Sequence, residues 1–380
     1  MQGFHTMYDF YLHPLFWLLG LTLLLQLYVY LFVFRRLAAF KVDCGAENKL
    51  QPVSVIICAK NEEDNLRNYL PAILEQDYPQ FEVIVVNDQS EDMTADALKE
   101  LAAQYPRLKV ITIEPYINEF AGKKFALTLA FKAAKHDVFL LTDADCKPRS
   151  SQWLKLMANA YDGKAADIVL GYSPYAVKPG LLNFFIQFDT VYTAMQYLSL
   201  AIAGKPYMGV GRNLSYRKAL FFDNKGFAPY LKLAPGDDDL FINNNATATN
   251  TRIQLCPDSF VESAPETSIY YWFRQKRRHM VTGKYYRRAD KTRLGFITLS
   301  NFLFYVALIV ALFDTEILIP VACIFALRLI IQMVIFYLVL KKLKGLRILP
   351  LIPILDILYQ VIYLPLMGII GLFRRRRRGW

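Results

Sequence analysis

Apolar residues occur as long uninterrupted runs at both ends of the chain and as short, regularly interrupted runs in the middle. The first long run, residues 10–34, is almost uncharged and exceeds the roughly 20 residues that span a bilayer. No Lys or Arg precedes it, and Arg35 and Arg36 follow it, so it predicts a transmembrane helix rather than a cleaved signal peptide. Because positive residues stay in the cytosol, these arginines predict that the N-terminus lies outside.

The C-terminal run predicts two further spans, at residues 299–313 and 317–340. The loop between them contains no Lys or Arg, so we expect it outside. A last apolar stretch, residues 348–373, has basic residues at both ends and is interrupted by prolines and by Asp356. This pattern favours a re-entrant or interfacial element, or a broken helix packed on the other spans.

Strand and helix patterns alternate four times in the middle of the chain. Apolar runs rich in β-branched residues predict strands buried on both faces, and apolar residues at helical spacing predict the intervening helices. The predicted strands are 53–58, 82–86, 108–113 and 137–142, and the predicted helices are 63–76, 90–105 and 124–135. This alternation predicts βαβ units and an α/β fold with a mostly parallel sheet. No G-x-G-x-x-G follows the first strand, which disfavours a nicotinamide-binding Rossmann domain.

These zones predict an N-terminal transmembrane helix at 1–36, a cytosolic domain at 37–295, and a C-terminal membrane domain with a basic tail at 296–380. The formal net charge of +11 is largely juxtamembrane, where anionic membrane lipids are the expected partner and nucleic acid is disfavoured. The five cysteines are odd in number and show no C-x-x-C spacing. We therefore expect neither a disulfide framework nor a zinc site, which fits a reducing cytosol.

Polar clusters follow three of the predicted strands, at the end where parallel sheets bind ligands. They are Ala59, Asn61 and Glu62 after the first strand, Asp88 after the second, and Asp143 and Asp145 after the fourth. Carboxylates at i and i+2 of an extended chain project to one side, so Asp143 and Asp145 can together hold a hard divalent cation. For an isolated pair of this kind, a solvated turn is the alternative interpretation.

Three consecutive acids, Asp237, Asp238 and Asp239, follow Gly236 farther along the chain. Adjacent carboxylates raise one another's pKa, which suits a proton acceptor working near neutral pH. Acids are equally common at the N-terminus of a helix, so the local pattern leaves both interpretations open. A basic and aromatic stretch at residues 272–279 is typical, in part, of an interfacial helix.

Six short motifs follow one another between residues 53 and 279. They are Ala59-x-Asn61-Glu62, Asn87-Asp88, Gly122-Lys123-x-x-Ala126-Leu127, Asp143-Ala144-Asp145, Gly236-Asp237-Asp238 and Gln275-x-x-Arg278-His279. In order and spacing they resemble the membrane-bound members of family 2 of the inverting glycosyltransferases, a group that includes ceramide glucosyltransferase and the hyaluronan, chitin and cellulose synthases. The resemblance implies a GT-A-type, Rossmann-like catalytic domain, a nucleotide-sugar donor that is usually uridine-linked, and Mg²⁺ or Mn²⁺.

The resemblance also implies roles for the donor-binding motifs. Ala59, Asn61 and Glu62 would belong to the nucleotide-sugar site. Asp88 would contact the base and Lys123 the nucleotide end of the donor. Asp143 would lie at the ribose or diphosphate, whereas Asp145 would bind the metal that bridges the diphosphate.

The last two motifs carry the implied catalytic and acceptor functions. Asp238 matches the family's catalytic base, with Asp237 supporting it. Gln275 and Arg278 match the first and fourth positions of Q-x-x-R-W, and Arg278 would join Lys123 in offsetting the charge of the diphosphate. The fifth position holds His279 instead of Trp, which leaves acceptor binding and processivity open.

The leading interpretation is a membrane-embedded, metal-dependent hexosyl- or N-acetylhexosaminyltransferase that uses a UDP-sugar and a lipid or glycan acceptor at the cytosolic face of a plasma or inner membrane. A base and a charge-offsetting group are the two requirements of this chemistry. One alternative is a small processive polysaccharide synthase, although the few predicted spans leave little of the chain to form a channel for a polymer. Another is a non-catalytic membrane scaffold, which the intact acidic clusters disfavour.

Overall fold

The computed structural model describes residues 13–45, 50–114, 122–161, 166–233 and 235–372. The chain divides into two compact units. The helical unit contains the apolar segments from both ends of the chain together with residues 187–199. The sheet unit contains residues 41–186 and 200–286, and therefore every site residue predicted from the sequence.

The sheet unit is built on a mixed, mostly parallel sheet. Its strands are β1 (Val53–Ala59), β2 (Phe81–Asp88), β3 (Leu108–Ile113), β4 (Val138–Leu141), β5 (Cys146–Pro148), β6 (Ile168–Leu170), β7 (Leu214–Arg217), β8 (Thr251–Ile253) and β9 (Val261–Ser263). Seven strands have the order β3-β2-β1-β4-β7-β6-β8, and β5 and β9 form a separate pair. Strands β1 to β4 are parallel, whereas β7 is antiparallel to β4 and β6. The predicted α/β fold with a mostly parallel sheet is confirmed.

Helices occur in both units. They are α1 (Pro14–Tyr28), α2 (Arg35–Ala39), α3 (Glu63–Leu74), α4 (Thr94–Gln104), α5 (Lys123–Ala133), α6 (Trp153–Asn159), α7 (Leu181–Ile202), α8 (Lys218–Asp223), α9 (Asp239–Asn245), α10 (Ile269–His279), α11 (Arg288–Ala311), α12 (Leu318–Leu343), α13 (Ile352–Ile357) and α14 (Leu364–Leu372). The predicted helices of the sheet unit correspond to α3, α4 and α5, and each differs from its prediction by a few residues at its ends.

The core of the sheet unit is formed by apolar strand residues and the helices that cover them. Val55, Val83 and Leu140 are fully buried on β1, β2 and β4, as expected for strands covered on both faces. Leu66 of α3 and Trp153 of α6 belong to the same cluster. Full burial of one such side chain stabilises the fold by about 1.5–3 kcal/mol, so this core holds the strand ends in place.

Four helices in the described part of the chain are long and apolar enough to cross a membrane. They are Pro14–Ala39, Arg288–Ala311, Thr315–Leu343 and Leu346–Ile370. The second begins at Arg288, eleven residues before its predicted start at Leu299. The prediction followed only the apolar run, whereas the helix also includes the polar residues that precede it. The last is a broken helix with a 3₁₀ turn and a π turn, one of the alternatives that its prolines predicted. Residues 10–12 and 373, which the predictions included, lie outside the described residues.

An ion pair is buried among the apolar side chains of the helical unit. Arg328 of α12 donates through Nη2 to Asp356 Oδ2 of α13 at 2.8 Å, and the two side chains are 1% and 0% exposed. Tyr305 and Gln332 also donate to Asp356 Oδ2. Isolated charges are costly in such surroundings, and this pair is kept by mutual neutralisation and shared hydrogen bonds.

The prediction that the cysteines form no disulfide was wrong. Cys44 and Cys256 are joined in the sheet unit, with their Cα atoms 5.4 Å apart. That separation lies within the normal range for a disulfide. The partners are 212 residues apart, so neither an odd cysteine count nor local spacing could reveal a pairing that depends on the folded chain.

Candidate active site

The first two predicted clusters meet at the carboxyl ends of β1 and β2, where Ala59 is in register with Asn87. Asn61 has a φ of 55°, a left-handed conformation that Asn adopts more readily than most residues. Its backbone N–H donates to Ser90 Oγ at 3.0 Å, and its Oδ1 accepts from the backbone N–H of Glu91 at 2.8 Å. Asn61 therefore fixes the loop that follows β2.

Glu62 lies at the start of α3, where its surroundings shift the pKa of its carboxyl. Burial raises the pKa of its carboxyl to about 7, and the nearby carboxylates of Asp145 and Asp143 add to the shift, against a hydrogen bond from Asn65. The backbone N–H of Glu62 donates to Thr94 Oγ1 at 2.9 Å. The carboxyl of Glu62, after β1, is therefore close enough to Asp143 and Asp145, after β4, for their charges to shift its pKa.

Asp88 ends β2 as a buried acid that is 2% exposed. Neither carboxylate oxygen has a hydrogen-bond partner among the residues that the structure describes. Burial raises the pKa of this carboxyl, with Lys60 opposing the shift. Buried polar atoms are normally paired, so these unpaired oxygens are available to a ligand's hydrogen-bond donors.

Lys123 connects two acidic segments that are far apart in sequence. It begins α5, and its Nζ lies 2.8 Å from Asp143 Oδ1 and 3.3 Å from Asp237 Oδ2. Although burial opposes ionisation, Lys123 lowers the pKa of the Asp143 carboxyl, with smaller contributions from Arg212 and His279. The acidic pair and the acidic triplet are therefore parts of one site.

Asp145 lies at the start of β5, where Cys146 is in register with Ser263 of β9. Its Oδ2 accepts a hydrogen bond from Ser263 Oγ at 3.0 Å, and its Oδ1 accepts from the Cys146 thiol at 3.3 Å. Burial raises the pKa of the Asp145 carboxyl, and the charge of Asp143 adds to this. Unlike Asp143, Asp145 forms no ion pair within the described ranges, and each oxygen keeps a lone pair.

The donor set around Asp145 suits one kind of metal site only. No group of three or more His, Cys, Asp or Glu side chains suited to a metal occurs in the described parts of the chain. Mg²⁺ is commonly held by one or two carboxylates together with substrate phosphates and water. Asp145 fits such a substrate-bridged ion, whereas a site made wholly of protein ligands does not fit.

Asp238 is held by two backbone donors. Gly211 N–H donates to its Oδ2 at 2.8 Å, and Asp239 N–H donates to its Oδ1 at 2.7 Å. A Cβ on Gly211 would lie 3.3 Å from Asp238 Oδ2, so glycine permits this close approach. Burial raises the pKa of the Asp238 carboxyl to about 7; Asp237 and Asp239 add to the shift and Lys123 opposes it. The structure confirms that the triplet lies at a helix N-terminus, since Asp238 caps α9, while its function as a proton acceptor stays a prediction.

The third acid of the triplet has internal partners. Asp239 is buried, and its Oδ2 accepts hydrogen bonds from Tyr286 at 2.7 Å and from Thr282. Lys124, next to Lys123, is also buried and donates to the carbonyl oxygens of Leu233 and Pro235 ahead of the triplet. These two residues, which the motifs did not single out, hold the acidic segment in place.

The final motif lies on α10. Gln275 is half-buried, and its Oε1 has no hydrogen-bond partner in the described chain. Arg278 and His279 are exposed at the end of the helix. The structure pairs Lys123 with Asp143 and Asp237, while the Arg278 side chain forms no ion pair or hydrogen bond with any described residue. That Arg278 joins Lys123 in offsetting the charge of a diphosphate stays a prediction.

Arg212 is a basic residue close to the acidic pair that the motifs missed. It lies in a 3₁₀ turn, Gly211–Asn213, directly before β7. Its charge acts on both Asp143 and Asp145. The sequence signal was the glycine-rich stretch ending at Asn213, which indicates close backbone approach to a ligand but does not identify this arginine.

The mixed, mostly parallel sheet, with acidic residues at the carboxyl ends of β2 and β4, has the GT-A type of fold. Residues 54–221 match the model of the family described as Glycosyl transferase family 2, so the chain contains a glycosyl transferase family 2 domain. A mannosyltransferase from Pyrobaculum calidifontis, PcManGT, solved in complex with GDP-Man and Mn²⁺, has a similar fold. It is 20% identical with a TM-score of 0.57, over 91% of this chain and 98% of that chain.

Two curated relatives align with the same region. The probable glycosyltransferase YdaM of Bacillus subtilis is 34% identical over 146 residues, which cover 38% of this chain and 34% of that protein. The beta-monoglucosyldiacylglycerol synthase of Trichormus variabilis is 30% identical over 152 residues, covering 38% of this chain and 32% of that protein. The chain therefore spans about a third of the length of these relatives.

Proposed function

We propose that this protein is a membrane-embedded inverting glycosyltransferase that transfers a sugar from a UDP-sugar to a lipid or lipid-linked acceptor at the cytosolic face. The observation that carries the proposal is the position of Lys123 Nζ, 2.8 Å from Asp143 and 3.3 Å from Asp237. A donor bound at the acidic pair then lies close to Asp238. The lipid acceptor is supported by the four apolar helices and by the lipid product named for the Trichormus relative.

Asp238 is the general base of the proposed reaction. The acceptor hydroxyl gives its proton to Asp238 while its oxygen forms a bond to the anomeric carbon. The bond from that carbon to the diphosphate breaks, and the electron pair leaves with the diphosphate. A single displacement of this kind inverts the anomeric configuration. Asp88 binds the base of the donor through its unpaired buried oxygens.

Asp145 is the residue that would hold Mg²⁺ or Mn²⁺. When bound, such an ion supplies positive charge that offsets the diphosphate. Lys123 contributes a further positive charge, and its two acidic partners fix its position. Groups of this kind act by preorganisation, because they already point to where negative charge develops.

The test is a panel of nucleotide sugars incubated with the purified chain and Mn²⁺ or Mg²⁺, with nucleotide release and lipid products measured. We expect one donor to be active and Asp238→Asn to lower transfer on the order of 10²- to 10⁴-fold while nucleotide binding is retained. Wild-type turnover by Asp238→Asn would exclude Asp238 as the base. A wild-type chain that turns over no donor would contradict an enzymatic function and favour a scaffold.

Product length separates the proposal from a processive polysaccharide synthase. Labelled donor is expected to yield single additions to the acceptor. A ladder of products would instead require processive synthesis. The same reaction run with and without added lipid extract tests the acceptor class, since a lipid acceptor predicts labelled material in the organic phase.

A further inference from the structure

Strand pairing places Arg212 at the same end of the sheet as the acidic pair. Strand β7 is antiparallel to β4, and its first residue, Leu214, is in register with Leu141, the last residue of β4. The turn before β7 therefore lies beside the segment after β4. Asp143 and Asp145 belong to that segment, and Gly211 of the turn binds Asp238.

The Arg212 side chain is held in a fixed orientation. Its guanidinium carbon lies 4.1 Å from the centroid of the Tyr175 ring, and Nη2 donates to the Ser173 carbonyl at 3.3 Å. The next residue, Asn213, is fully buried and donates to the carbonyl oxygens of Tyr172 and Ser259. A planar, always charged guanidinium fixed in this way is preorganised for an anion.

Part of this guanidinium is unused. Arg212 Nη1 is buried and has no hydrogen-bond partner in the described part of the chain. Its charge acts on Asp143 and Asp145, yet Arg212 forms no ion pair with either of these described residues. A buried charged donor without a partner is unfavourable, so this arrangement suits a ligand with an oxygen that accepts a hydrogen bond from Nη1.

Two other basic residues of the predicted site, both in the described part of the chain, do not offer this combination. Lys123 is already paired with Asp143 and Asp237. Arg278 is exposed at the end of α10. Arg212 is thus a fixed, partly unpaired cation beside the segment that would bind the donor diphosphate.

We propose that Arg212 binds the diphosphate of the nucleotide-sugar donor, with Nη1 donating to a phosphate oxygen. This inference rests on the proposed function. As the bond to the anomeric carbon breaks, the departing diphosphate gains the bonding electron pair, and the fixed guanidinium stabilises that charge. Arg212 therefore contributes to leaving-group departure as well as to donor binding.

The test compares Arg212→Gln with Arg217→Gln in the detergent-purified full-length chain. Arg217 is a matched control because it also stacks on a tyrosine, at 5.0 Å from the Tyr161 ring, and donates to Ala166 O and Gln51. It lies at the other end of β7. Calorimetry with Mn²⁺ measures the affinity of each chain for UDP, for GDP in parallel, and for uridine.

We expect Arg212→Gln to weaken UDP binding by about tenfold to a hundredfold, as for loss of a hydrogen bond to a charged group. Uridine binding stays unchanged, and Arg217→Gln changes neither. Arg212→Lys keeps the charge and is expected to recover part of the UDP affinity; a Lys variant no better than the Gln variant would contradict a charge contact.

Unchanged UDP affinity in Arg212→Gln, or equal losses for UDP and uridine, would overturn the assignment of Arg212. If the wild-type chain binds neither UDP nor GDP, the proposed function itself fails. The two failures are distinguished by the wild-type titration.

Discussion

At the scale of single residues, Asp238 shows how its surroundings can fit a carboxyl to the proposed function of a base. Both of its carboxylate oxygens accept hydrogen bonds from backbone N–H groups, which fix the orientation of the carboxylate. Each oxygen retains a lone pair that can accept a proton. Hydrogen bonds of this kind favour the charged form, yet the pKa is raised to about 7 because burial and two adjacent acids dominate.

This pKa predicts the pH dependence of the reaction. A base works only when deprotonated, so kcat/KM of the free enzyme rises with pH below about 7 and levels off above it. The measurement is kcat/KM from about pH 5.5 to 8.5. Glu62→Gln is the control, because Glu62 has a pKa of about 7 as well. A flat profile, or loss of the inflection in Glu62→Gln, would contradict the assignment to Asp238.

Asp145 carries a separate prediction at the same scale. Asp145→Ala is expected to abolish the increase in UDP affinity that Mn²⁺ produces, because the variant loses the proposed metal ligand. Ser263→Ala keeps the carboxylate and loses only its 3.0 Å hydrogen bond, so a reduction of at most about tenfold to a hundredfold is expected. Calorimetry with and without EDTA measures both. An intact Mn²⁺ effect in Asp145→Ala would rule out this ligand.

At the scale of elements, the start of α5 presents two adjacent lysines with different tasks. Lys123→Met removes a charge from the site and is expected to reduce transfer on the order of 10²-fold or more. Lys124→Met removes buried hydrogen bonds to Leu233 and Pro235 and is expected to destabilise the fold by about 1–3 kcal/mol. Thermal unfolding and turnover of both variants measure this. A larger loss of stability in Lys123→Met than in Lys124→Met would contradict the assignment of Lys123 to the site and of Lys124 to the stability of the fold.

Strands β1, β2 and β4 could be predicted because each is a largely apolar run, such as Val83–Val86 of β2, buried on both faces. Strand β3, which is partly exposed, could be predicted from its β-branched residues. The central strand β7 could not, since Leu214–Arg217 alternates apolar and polar residues over only four positions. Its antiparallel pairing with β4 and β6 joins segments that are far apart in the sequence. Local pattern carries little information about such pairings.

The residues of the candidate site likewise fall into those that could be predicted from the sequence and those that could not. Asp88, Asp143 and Asp145 could be found because they follow strands whose ends meet at one edge. Arg212 was missed because its position depends on β7. The partners of Asp239 were missed because Thr282 and Tyr286 are more than forty residues away. What the sequence could not supply is contact between distant segments.

The buried ion pair of the helical unit gives a prediction about helix packing. Asp356→Ala leaves Arg328 buried without its counter-charge and is expected to destabilise the helical unit by about 3–5 kcal/mol. The double variant Arg328→Met with Asp356→Leu removes both charges and should recover most of this loss. Thermal unfolding in detergent is the measurement. A double variant as unstable as Asp356→Ala would contradict the charge-based explanation.

At the scale of the whole molecule, the disulfide bears on the proposed membrane orientation. Disulfides are rare in a reducing cytosol, whereas the proposed catalytic face is cytosolic. If that orientation holds, Cys44 and Cys256 are expected to be thiols in the cell and to pair on oxidation after lysis. Alkylation of intact cells before lysis, followed by mass spectrometry, measures this. A bond already present in intact cells would contradict the cytosolic orientation.

The division into units has a consequence for how the chain is made and cut. Residues 187–199 belong to the helical unit, yet they precede β7, which lies between β4 and β6 at the centre of the sheet. During synthesis, β4 and β6 cannot pair with β7 until residues 187–199 and then β7 itself have left the ribosome. A fragment that keeps the whole sheet must also keep this segment, including the buried Phe188, Met195 and Leu198. A fragment made by removing only the two apolar ends would therefore still carry apolar residues that belong to the helical unit.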